Sequence, residues 1–346
     1  MTSTQHYKAA YYIHNRKFEL ADCEVALPAE NEVTVDIAYC GICGTDLHIF
    51  HGAMPHRLGD RRVLGHEVSG IISATGASVD SLKVGDRVAI RPLSPCNNCP
   101  ACNSGHSHIC HNLAFLGIDT DGGFAEKWTV PANTIHALPA SLSLREAALV
   151  EPLAVACHNV ERGKVQPGED VLVIGGGPIG LLVAMAARAA GGKVTVSEIN
   201  PGRLAVIQSI GFDTLDPTKQ DLAGSVAEIT GSKGADVVFE VSGSQAGVDA
   251  MTEVAAVRAR IVMVAIHPEP PKIDLFRFFW RELELFGARV YELQNYDQAI
   301  ALLEAGDIAT NTMITDEAPL SDIQSAFDAL EGSETAMKSL IAINPA

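Results

Sequence analysis

Four of the chain's eight cysteines, Cys96, Cys99, Cys102 and Cys110, lie in one glycine- and asparagine-studded stretch, SPCNNCPACNSGHSHIC, with the spacing C-x2-C-x2-C-x7-C. Two residues of turn between cysteines bring both side chains to the same side, so several sulfurs can converge on one ion. In a secreted chain the same pattern would read as disulfides. Here the opening MTSTQHYKAAYYIHNRKFEL lacks the apolar core and small-residue cleavage site of a leader, so a reducing cytoplasm is expected. An iron-sulfur cluster is the other competitor, but ferredoxin-like spacings differ and no second cluster motif follows. The stretch therefore predicts a structural zinc held by all four sulfurs. Such a site leaves the metal no open position, so it is expected to fold its lobe and do no chemistry.

The chemistry is then expected upstream. CGICGTDLHIFH, Cys40 to His51, and LGHE, Leu64 to Glu67, supply Cys, Thr, Asp, His and Glu beside glycines that allow tight turns. Catalytic zinc takes three protein ligands and keeps one position exchangeable, a demand that Cys43, His66 and a glutamate would meet. Either segment alone is weak, since a lone Cys or His is more often structural than a ligand. Cys23 and Cys157 read as small hydrophobes. His51, His56, His106, His108 and His111 read as solvated or structural.

A third constellation runs DVLVIGGGPIGLLVAMAARAAGGKVTVSEIN from Asp170 to Asn200. A β-branched run meets Gly175-x-Gly177-Pro178-Ile179-Gly180, then an Ala/Leu helix, a Gly-Gly stop and a second strand ending at Glu198. In this strand-turn-helix context, with an acid about 20 residues on, the glycines form a dinucleotide fingerprint. Gly175 permits the turn, Gly177 lets the backbone approach the pyrophosphate, and Gly180 lets helix and strand close up. The helix N-terminus receives the phosphates. Glu198 would accept the adenosine ribose hydroxyls and repel a 2′-phosphate, which argues for NAD over NADP. Arg203, just beyond, is placed to meet a phosphate.

These sites need elements to hold them. The chain has 346 residues, 47% apolar and 19% charged, which suggests two domains with sizeable cores. EVTVDIAYC, HEVSGIISATG and GDRVAI show short alternating strands, as in a β-rich barrel-like domain. Further strands at ADVVFEVSG and ARIVMVAI, with helical stretches between them, continue a doubly wound parallel sheet. Asn295 to Gly306 and Leu320 to Leu330 read as amphipathic helices, and MKSLIAI as a closing strand. Val171 to Gly192 is nearly uncharged over a bilayer-spanning length, but its glycine interruption favours strand, turn and buried helix. The net charge of −17, with no basic cluster, disfavours nucleic acid or an anionic membrane and points to a small-molecule partner.

GICGTDLH, GHE, the four-cysteine lobe, EPLAVACH and VLVIGGGPIG, in this order and at these separations, resemble the zinc-dependent medium-chain dehydrogenases, nearest their polyol branch of sorbitol, idonate and butanediol dehydrogenases. The resemblance covers essentially the whole chain. It implies an α/β chain with a GroES-like catalytic domain at 1–153 and 291–346 and a Rossmann domain at 154–290. It implies that Cys43 and His66 ligate catalytic zinc, with Glu67 and Glu151 competing for the remaining role. Glu151 stands where the simple alcohol dehydrogenases carry a second cysteine, a departure typical of the polyol branch. Asp46 would accept the second ring N–H of His66; its plainer reading is a turn-capping aspartate. Relatives that use NAD also carry an arginine at the place of Arg203.

The activity implied is oxidation of a secondary alcohol to a ketone, zinc polarising the hydroxyl and NAD+ taking the hydride. Thr45 would accept the proton and His48 carry it toward solvent. A homo-oligomer, with a tetramer favoured, is also implied. Sorbitol dehydrogenases usually carry an aromatic residue after the place of His48 and an Arg-Tyr pair late in the chain, where this sequence has Ile49 and Val290-Tyr291. The missing arginine makes the expected pocket more apolar and shifts the expected substrate toward a shorter vicinal diol, with sugar alcohols and sugar acids as the alternative. A non-catalytic zinc and nucleotide binder would be free to lose Cys43, His66 or the glycines, and all are present.

Overall fold

The computed structural model describes residues 6–267 and 269–345. The chain divides into two compact units. The first comprises residues 1–151, 292–304 and 314–346, and the second 152–291 and 305–313.

The first unit is built on a seven-stranded sheet. Glu32–Gly41 pairs antiparallel with Glu67–Thr75, with Lys127–Pro131 and with the closing strand Lys338–Ala342. Val33, Val35, Ile37 and Cys40 of the first of these strands are fully buried. Their face joins Val68, Ile72, Phe124 and Phe327 in one apolar core, which holds the strand register because a one-residue slip would turn the apolar set outward. A short antiparallel ribbon, Leu93–Ser94 with Ala114–Phe115, closes the base of the cysteine lobe.

The second unit carries six parallel strands. Their spatial order is Asp213–Leu215, Lys193–Ser197, Asp170–Ile174, Ala235–Glu240, Ala255–Met263 and Glu284–Gly287. In chain order this is 3-2-1-4-5-6, the doubly wound arrangement that binds dinucleotides at its switch point. Val171, Leu172 and Val173 are buried in succession, as expected of a strand covered on both faces.

The expected division at 1–153/291–346 missed one excursion of the tail. Ala305–Met313 belongs to the second unit. Ile308 and Met313 are buried, and the Ala309 N–H donates to Met185 Sδ at 3.3 Å. These apolar contacts follow the amphipathic helix Leu293–Ala305, and nothing in the local spacing marks which unit they join. Val171–Gly192 forms a strand, the glycine turn and the helix Pro178–Ala189. Among the described residues no helix is long and apolar enough to cross a membrane.

Candidate active site and metal centres

In the cysteine lobe the sulfurs of Cys99 and Cys102 lie 3.5 Å apart, Cys99 and Cys110 3.8 Å, and Cys96 and Cys110 3.4 Å. Four sulfurs at zinc-bonding distance on a tetrahedron stand about 3.8 Å apart. Backbone N–H groups of Cys96 and Asn112 point at Cys110 Sγ, and that of His111 at Cys99 Sγ. The N–H of Asn98, with the Asn112 side chain, pulls the Cys96 thiol down to about 6. Cys102 goes the other way, pushed up to about 12 by burial and by its hydrogen bonds to Cys99 and Cys110. Four crowded thiols cannot all ionise unaided, whereas a divalent cation would allow it. The lobe fits a four-sulfur zinc.

The second centre is assembled from separated segments. Cys43 precedes the short helix Gly44–Phe50, and its N–H donates to Asp46 Oδ2 at 2.9 Å. His66 and Glu67 stand at the start of Glu67–Thr75, both buried. One donor atom each from Cys43, His66 and Glu67 lies within 4.8 Å of the others. Gly41 makes room, because a Cβ there would collide with the Glu67 carboxylate. Asp46 takes the turn-capping reading and stands close to His66 without the hydrogen bond that the other reading expects. Its Oδ2 caps the turn, while its Oδ1 faces His66 Nδ1 at 3.6 Å, and neither of these facing atoms has a hydrogen-bond partner. Burial alone would depress the His66 pKa, but Asp46 first, then Cys43 and Glu151, raise it to about 10. Such an excess of negative charge around a buried imidazole, with sulfur, nitrogen and oxygen donors converging, suits a divalent zinc.

Lys338 was missed by the sequence reading. It is 3% exposed, on the closing strand, and its ammonium donates to both oxygens of Glu67 at 2.6 and 2.7 Å and to the Ile42 carbonyl at 3.3 Å. Burial works against its charge, yet Glu67 first, then Cys43, raise its pKa. The available signal was a lysine inside the otherwise apolar MKSLIAI. Phe115 was missed as well. Its ring stands edge-on to His66, centroids 5.1 Å apart at 90°.

Glu151 is buried in the first turn of the helix Val150–Gly163. Thr45 is half-buried and His48 exposed, three residues apart on Gly44–Phe50. Ile49 is fully buried in the apolar core. Its side chain is taken up by packing within that core.

In the second unit Gly175 adopts φ +104°, the left-handed region that favours glycine. A side chain at Gly180 would strike the Gly175 carbonyl, so helix and strand close up there as expected. Gly177 caps the helix Pro178–Ala189, whose first residues are Pro178 and Ile179. The Glu198 carboxylate accepts the N–H groups of Gly176, Ile199 and Asn200 at 2.7–2.8 Å. Two carboxylate oxygens offer about four acceptor sites, so about one remains for a ribose hydroxyl. Arg203 lies beside the turn, its Nη1 3.7 Å from where a Cβ on Gly177 would sit, and its buried Nε has no hydrogen-bond partner. An orphaned guanidinium N–H beside a phosphate-type turn fits a dinucleotide.

Comparison with known proteins agrees with both units. Residues 29–140 match the alcohol dehydrogenase GroES-like domain and residues 178–305 the zinc-binding dehydrogenase domain. The chain is 48% identical to 2-dehydro-3-deoxy-L-galactonate 5-dehydrogenase of Pseudoalteromonas atlantica, over 97% of this chain and 98% of that protein. It is 33% identical to L-galactonate-5-dehydrogenase of Escherichia coli, over 88% and 89%. The crystal structure of 2R,3R-butanediol dehydrogenase from Bacillus subtilis superposes with TM-score 0.91 at 29% identity, covering 98% of this chain and all of that one. The chain belongs to the zinc-binding alcohol dehydrogenase family. It is a zinc- and NAD-dependent oxidoreductase that interconverts a secondary alcohol and its ketone.

Proposed function

We propose that the enzyme oxidises the secondary alcohol at carbon 5 of a hydroxylated six-carbon sugar acid. The convergence of Cys43, His66 and Glu67 on one buried point carries the reading of the reaction. Two relatives named as 5-dehydrogenases of galactonate-type acids support the substrate class.

Cys43 and His66 would hold the zinc. Lys338 occupies both Glu67 oxygens, which favours Glu151 as the acid completing the set and Glu67 as the charge behind it. Zinc bound there would supply Lewis acidity at the substrate hydroxyl, and NAD+ would accept the hydride. Thr45 would accept the hydroxyl proton through a hydrogen bond while passing its own to the nicotinamide ribose, and His48, exposed one turn on, would carry a proton from there to solvent. Asp46 holds the His66 ring. In the other unit Gly175, Gly177, Pro178, Ile179 and Gly180 would hold the pyrophosphate of the dinucleotide, Glu198 would accept from its ribose, and Arg203 would meet a phosphate.

We further infer a cytoplasmic homo-oligomer, with a tetramer favoured. All eight cysteines are free thiols, which suits a reducing compartment. Phe276, Phe279 and Trp280 are more than 60% exposed on Leu275–Arg281, and Leu285 is exposed on the edge strand Glu284–Gly287. An apolar patch beside an open sheet edge supports self-association.

NADH formation with L-galactonate, 2-dehydro-3-deoxy-L-galactonate, sorbitol and 2R,3R-butanediol tests the substrate class. The expected result is a kcat/KM for a sugar acid about 100-fold above that for the diol. Best turnover on butanediol would overturn it.

A further inference from the structure

Outside the two centres already described, His106, His108 and Glu292 bring one donor atom each to within 4.8 Å of one another. Both imidazoles aim Nδ1 at the same carboxylate oxygen, Glu292 Oε1, from 4.0 Å for His106 and 3.9 Å for His108. The rings stand perpendicular, 89° apart, with centroids separated by 6.0 Å. We propose that these three side chains form a third metal site, selective for a divalent transition ion such as zinc, that ties the cysteine lobe to the start of the helix Leu293–Ala305.

The distances favour an ion over direct pairing. Neither Nδ1 is within hydrogen-bond reach of Oε1, so the three donors surround a point instead of closing on each other. Zinc bonds to nitrogen and oxygen at about 2.0–2.1 Å, which sets tetrahedral donor separations near 3.3 Å. Contractions of about 0.6–0.7 Å between each imidazole and Glu292, and of no more than about 1.5 Å between the two imidazoles, complete the set through side-chain rotation.

The donors sit on anchored backbone. The His106 N–H donates to the Ala101 carbonyl at 2.9 Å and its carbonyl accepts the Ile109 N–H at 3.1 Å, fixing the 3-10 turn Ser107–Ile109 that carries His108. The Glu292 N–H donates to Asn295 Oδ1 at 2.8 Å, and Glu292 Oε2 accepts Gln294 Nε2 at 3.0 Å, while Oε1 is the oxygen within 4.0 Å of both histidines. His108 is buried and His106 exposed, so an ion can enter from solvent and keep water at its remaining position. Two imidazoles and a carboxylate suit zinc, cobalt, nickel or copper over magnesium or calcium. Glu292 is also the residue at which the chain re-enters the first unit, so an ion here would fasten that crossing to the lobe.

The test is zinc titration of the whole enzyme, after dialysis that removes only loosely held metal, read by metal content per chain. Expected is one further zinc beyond those of the two centres, binding about tenfold or more weaker in His106→Ala and in Glu292→Gln, with the other two zincs retained. Cobalt added to the zinc-loaded enzyme should give ligand-field absorption without a thiolate charge-transfer band, since no sulfur takes part. No additional zinc up to millimolar concentration, or undiminished binding in both variants, would overturn the site. So would a cobalt spectrum showing thiolate ligation.

Discussion

The four-cysteine lobe and the Cys43 centre are both metal-binding constellations, yet they are built in opposite ways. The lobe draws four identical donors from Cys96 to Cys110, one stretch closed by a two-stranded ribbon. The Cys43 centre draws unlike donors from separate segments and adds a buried ammonium from Lys338, near the end of the chain. A local, uniform site can close around its ion early and leaves nothing open for substrate. A site of mixed donors brought together by the sheet leaves its charge adjustable and a coordination position exchangeable. The difference teaches where folding and chemistry divide.

The largest effect expected from that division is a double dissociation. Cys43→Ser should lower kcat/KM about a thousandfold, the several kcal/mol that a Lewis acid contributes, while the protein stays folded and binds NAD. Cys96→Ser should instead release the lobe's metal and lower the melting temperature. Kinetics, zinc content and thermal unfolding on both variants check this together. A Cys96 variant that melts normally and has lost only turnover would break the comparison.

Next in size is the Lys338–Glu67 pair. Both partners are essentially solvent-free, so removing one leaves an uncompensated buried charge at a cost of about 3–5 kcal/mol. Lys338→Met should show that loss in urea unfolding, and adding Glu67→Gln to it should recover much of the stability by removing the stranded carboxylate. If Lys338→Met were neutral by itself, the ammonium would not be what holds Glu67.

How much of this was legible in the sequence follows the same contrast. C-x2-C-x2-C-x7-C and Gly-x-Gly-x-x-Gly are contiguous, and their chemistry is written in local spacing, so the lobe and the glycine turn could be read directly. Both positions of Asp46, at the turn and beside His66, were legible as alternatives, but their coexistence was not, because one oxygen caps the local turn while the other faces a histidine 20 positions on. Lys338 was illegible for a stronger reason. Its partner lies 271 positions away, across a strand pairing that no local pattern announces. The excursion of Ala305–Met313 into the second unit and the burial of Ile49 were illegible for that reason too. Each is decided by which surface a short apolar segment meets, and single-sequence periodicity reports only that it has an apolar face.

The smallest expected effect concerns the tie between the two regions. Arg57 follows the Cys43 helix and makes a two-pronged bond to Asp119, Nε to Oδ1 at 2.8 Å and Nη2 to Oδ2 at 2.7 Å. Asp119 Oδ2 also accepts the N–H of Phe115, the residue whose ring meets His66. Burial would raise the Asp119 pKa, but the Arg57 hydrogen bonds, then the Phe115 N–H, outweigh it and hold it below the usual carboxylate value. A depressed folded pKa means the unfolded chain binds the proton more readily, so the pair's contribution is complete above the unfolded value, about pH 4, and is lost as pH falls through the folded pKa. Asp119→Asn should therefore cost about 1 kcal/mol at neutral pH, with the gap to the unaltered enzyme closing as the solution is acidified below about pH 4. Urea unfolding at a series of pH values measures that gap. A gap constant with pH would assign the cost to lost packing at Phe115 instead of to the ion pair.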